Sequence, residues 1–117
     1  MEDQILSSAI ATTEVLCALY RKERAGDLKP GGSKAVFRKF IADTNAGRIV
    51  TIPYGVDVAA EAETLVQLAF DQPKPIMVRS LDVIHVSSAL AIGAKALVAT
   101  DARLRRLTAL TPLEVLP

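Results

Sequence analysis

The run RSLDVIHVSSALAIGAKALVATD, residues 79–101, constrains the fold more than any other stretch of this sequence. From Leu81 to Ala94 it is almost wholly apolar or small, and only Asp82 and His85 there can ionise. Such a run reads as a helix covered on most sides, "RSLDVIHVSSALAIG", followed by a short buried strand, "KALVAT". A carboxylate in a covered helix is costly unless it is paired or bound to a cation. A second acid, Asp101, follows the strand directly. The rest of the chain has to explain why two acids stand there.

The flanking segments repeat the alternation. "QILSSAI" reads as a strand. "TTEVLCALYRKERAG" reads as a helix, with threonines suited to its N-cap, Val15, Leu16, Leu19 and Tyr20 on its apolar face, basic residues in its last turns and Gly26 as its stop. "DLKPGG" is a loop. "SKAVFRKFIADTNAG" is an amphipathic helix with Val36, Phe37, Phe40 and Ile41 at helical spacing. "RIVTIP" is a β-branched strand ended by Pro53. "VDVAAEAETLVQLAF" is a helix with Val58, Leu65, Leu68 and Ala69 toward a core, and "DQPKP" is a rigid connection. "DARLRRLTAL" is a short helix and "LEVLP" a final strand. Helices alternating with short apolar strands give an α/β class with a mainly parallel sheet. In such sheets, sites form beyond the carboxyl ends of strands, and Asp101 stands at one.

At 117 residues the expectation is a single domain, 1–117, with one modest core. A net charge of +1 gives no global attraction to nucleic acid, so such binding has to come from local basic patches. One cysteine, Cys17, cannot close an intrachain disulfide, which suits a reducing cytoplasm. The N-terminus opens with acids and has no basic leader, and no apolar run approaches the ~18 residues of a membrane span, so a cytoplasmic location is expected.

Glu14, Asp82 and Asp101 are the candidate site residues. Each has an alternative role: Asp101 suits a helix N-cap, and Asp82 and Glu14 suit first turns. Taken together, each sits near an element end that an α/β sheet can bring to one edge. Converging carboxylates suit Mg²⁺ or Mn²⁺, which can generate a hydroxide-like nucleophile and neutralise a phosphoryl group. Phosphodiester hydrolysis is the expected chemistry. One His and one Cys, far apart, exclude a Cys/His zinc site. His85, three residues after Asp82, suits a packing or hydrogen-bonding role. No phosphate-binding glycine loop, dinucleotide fingerprint or nucleophile-elbow motif is present. Arg79 and Arg103, next to the acids, are the candidate RNA phosphate contacts.

Three blocks of this sequence resemble the PIN-domain family, in particular VapC-type toxin ribonucleases. "SSAIATTEVLCALYRK" (7–22) looks like the family's second strand and following helix, with Glu14 at the acidic position. "RSLDVIHVSSALAIGAKALVATDARL" (79–104) looks like its most characteristic block, with Asp82 and Asp101 as the third and fourth acids. "LTALTPLEVLP" (107–117) is similar to its closing helix end and strand. The resemblance implies a three-layer α/β sandwich with a five-stranded parallel sheet of order 3-2-1-4-5. It implies Mg²⁺- or Mn²⁺-dependent cleavage of RNA, usually by a homodimer, and a cognate VapB-like antitoxin whose tail occupies the acidic groove.

This sequence departs from that pattern in one large respect. The family's first strand, the central one in that order, ends in an aspartate and has no counterpart here. Glu2 and Asp3 precede the strand "QILSS" rather than follow one. Ala99 stands where the family often has a hydroxyl residue, and the adjacent Thr100 is expected on the other strand face. The vacancy implies direct pairing of its two flanking strands, a strand supplied by a second chain, or a segment encoded upstream. It also implies weaker metal binding. The alternative function is therefore a non-catalytic PIN remnant that binds a protein partner or sequesters an antitoxin. A receiver-like signalling domain ranks last, because "RIVTIPYG" offers no phospho-acceptor acid.

Overall fold

A computed structural model describes residues 5–99 and 101–116. The order is β1 (Ile5–Ser8), α1 (Ala9–Arg24), α2 (Gly32–Asn45), β2 (Ile49–Ile52), α3 (Val56–Phe70), α4 (Ser80–Ala91), β3 (Ala96–Val98), α5 (Ala102–Thr108) and β4 (Glu114–Leu116). The chain is an α/β protein whose contacts divide it into two compact units, Met1–Pro53 and Tyr54–Pro117.

In the first unit β1 runs parallel to β2, with Ile5 opposite Ile49 and Ser8 opposite Ile52. Two helices make the crossover that a parallel pair needs. β1 passes straight into α1: Ser8 ends the strand, and its hydroxyl accepts the Ile10 N–H at 3.1 Å as the N-cap. The cap is therefore Ser8 and not the expected threonines, which lie inside the helix. α1 closes at Gly26, where φ of 89° lets the Asp27 N–H return to the Lys22 carbonyl at 2.9 Å. A left-handed glycine of this kind is the usual helix stop.

α2 begins after Gly31, which has no side chain to cap it. Glu23 does the capping from the preceding helix. Its Oε1 accepts the Ser33 N–H at 3.0 Å and the Ser33 hydroxyl at 2.8 Å. Ser33 is fully buried, so an orphan amide there would be costly without this carboxylate. Phe37 and Phe40 stack on α2 with centroids 6.1 Å apart. Asp43, near its end, is held by Arg48 at 2.9 Å and by Lys39 at 4.0 Å.

The second unit holds the larger core. α3 and α4 pack against each other and bury Leu65, Ala69, Val83, Val86 and Ala89 together with Leu107 and Leu113. Two expectations shift here. Leu68 is 39% exposed, because the buried stripe of α3 runs through Val58, Leu65 and Ala69. β3 is not buried throughout: Val98 is 68% exposed. β3 runs parallel to β4, Ala96 opposite Glu114 and Val98 opposite Leu116, with α5 as the crossover. Among the described residues the strands form two separate two-stranded parallel sheets, β1-β2 and β3-β4. Each strand keeps one edge unpaired, and Ile5 and Val98 are exposed on the faces of these sheets. No helix among the described residues is long and apolar enough to cross a membrane.

Candidate functional site

Asp101 stands between the carboxyl end of β3 and α5, as its sequence position suggested. It is the N-cap of α5: Oδ1 accepts the Arg103 N–H at 2.7 Å and the Leu104 N–H at 3.4 Å. The Arg103 amide, then the Leu104 amide, hold this carboxyl below its ordinary value against a small desolvation, with help from the positive charges of Arg103 and Arg79. Capping uses one of the two carboxylate oxygens and leaves the group exposed.

Asp82 lies in the first turn of α4, also as expected. Its side chain is 22% exposed and is paired with Arg79, whose Nε lies 3.7 Å from Oδ2. That separation makes an ion pair without a hydrogen bond. Arg79 is the N-cap residue of α4 and contributes no side-chain cap. Its guanidinium is thus a shared feature: it pairs with Asp82 and its charge also acts on Asp101. A partly exposed pair such as Arg79–Asp82 contributes at most about 1 kcal/mol.

Glu14 belongs to the first unit. It is half-buried and lies beyond the first turn of α1, because the helix starts at Ala9 and not at the threonines. His85 is half-buried on α4, one turn after Asp82. Arg103 is exposed at the start of α5. Glu2, Asp3 and Thr100 lie outside the described residues.

Among the described residues no group of three or more His, Cys, Asp and Glu side chains is placed to hold a metal ion. Asp82 and Asp101 are carboxylates of the second unit, the donor type that a hard divalent cation accepts. Magnesium commonly takes one or two protein carboxylates, fills its remaining positions with water and substrate oxygens, and sits where water can reach. Asp82 and Asp101 offer that donor set.

Sequence reasoning missed two features. One is the Glu23–Ser33 cap, for which the signal was "GGS", a helix start with no capping side chain before it. Glu23 is held below its ordinary value first by the Ser33 amide and then by the Ser33 hydroxyl. The other is an exposed stripe along the last turns of α1 that carries Cys17, Tyr20, Arg21 and Arg24. Their i, i+3, i+4, i+7 spacing was visible, but Tyr20 was assigned to the covered face.

Comparison of the chain with protein-family models, with curated proteins and with solved structures finds no match.

Proposed function

We propose that the chain is a metal-dependent endoribonuclease of the VapC type that hydrolyses RNA phosphodiesters at an acidic Mg²⁺ or Mn²⁺ site to which Asp82 and Asp101 contribute. The observation that supports this reading is the Arg79–Asp82 ion pair at the start of α4, with Asp101 at the carboxyl end of β3 in the same unit. When bound, the metal supplies a water-derived nucleophile and neutralises charge on the phosphoryl group. Asp82 and Asp101 would hold it. Arg79, already at the acids, would move to a phosphate oxygen, and Arg103 stands beside Asp101 to do the same.

The sheet pairings support the PIN-like part of the reading. If β1 to β4 are the family's second to fifth strands, the implied order 3-2-1-4-5 calls for β1 beside β2 and β3 beside β4, and both pairings are parallel. A homodimer would be the working assembly, and a strand added by another chain would pair with an open strand edge. A cognate VapB-like antitoxin would be the other partner, with its tail in the acidic groove.

A second reading has one observation in its favour. Asp101 already performs a complete structural task as the cap of α5, which suits a non-catalytic remnant that binds a protein partner. RNA cleavage separates the two. The purified chain, free of any antitoxin, should degrade RNA with Mn²⁺ or Mg²⁺ and lose that activity in Asp82→Asn. No cleavage with either metal would refute the enzyme reading and leave the remnant.

A further inference from the structure

We draw no further inference here: the strongest candidate, the exposed apolar surface of β1 at Ile5 and Leu6, carries nothing, because nothing in the structure shows what covers it.

Discussion

Two adjacent serines on α4 should respond to the same substitution in opposite directions. Ser87 and Ser88 are 0% and 2% exposed. The Ser88 hydroxyl donates to the Ile84 carbonyl at 2.7 Å, while the Ser87 hydroxyl has no hydrogen-bond partner among the described residues. The other fully buried hydroxyls are satisfied, Ser33 by Glu23 and Thr108 by the Leu104 carbonyl. Serine to alanine in mid-helix gains about 0.5 kcal/mol of helix propensity at either site, so that contribution cancels in the comparison. Removing an unpaired buried hydroxyl also recovers its desolvation cost, about 1–3 kcal/mol, less a small loss of packing. Removing the paired one forfeits about 1 kcal/mol, with no acceptor orphaned because Ile84 is a mid-helix carbonyl. Ser87→Ala should therefore raise stability by about 1–2 kcal/mol, and Ser88→Ala should lower it by about 0.5 kcal/mol. Thermal unfolding followed by circular dichroism resolves this, since 1 kcal/mol corresponds to about 4 °C at this size. A lower melting temperature for Ser87→Ala, or equal shifts for the two variants, would refute the assignment of the hydroxyls.

Further outcomes follow from the same structure. Leu107→Ala, in the core of the second unit, should cost about 3–5 kcal/mol, visible as a fall in urea midpoint. Gly93→Ala should destabilise by about 1–2 kcal/mol, because φ there is 71° and, with no neighbour within 4 Å of the added methyl, backbone strain is the only cost. Glu23 and Asp101 are both held below their ordinary values, so the folded state binds fewer protons than the unfolded one at these groups. Their contribution is complete above the unfolded carboxylate value and fades as pH falls through the folded one. Stability should drop on acidification below about pH 5, and Glu23→Gln should flatten that slope in urea titrations at successive pH values.

Much of the fold was legible because the residues obey simple periods. α3 spans Val56–Phe70, the same bounds that its composition suggests, and "RIVTIP" contains β2. Legibility failed where two periods fit the same letters. Ala9, Ile10 and Ala11 suit a strand or a helix equally, so the switch at Ser8 and the deeper position of Glu14 in α1 were missed. Leu68 and Val98 were read as covered from their chemistry, yet exposure depends on what packs against α3 and β3, and sequence periodicity does not carry that. Within the site, Asp82 and Asp101 stand on the elements expected of them. Arg79 reads as the first residue of the helix that carries Asp82, whereas it is the N-cap residue of α4, and its ion pair with Asp82 was not anticipated.

The measurement that bears most directly on the acidic centre is Mn²⁺ binding by isothermal titration to wild type and to Asp82→Asn and Asp101→Asn. An ion held by both carboxylates requires each variant to lose about tenfold or more in affinity, the loss of one charged ligand. Unchanged affinity in both variants would leave no metal site for these residues to form.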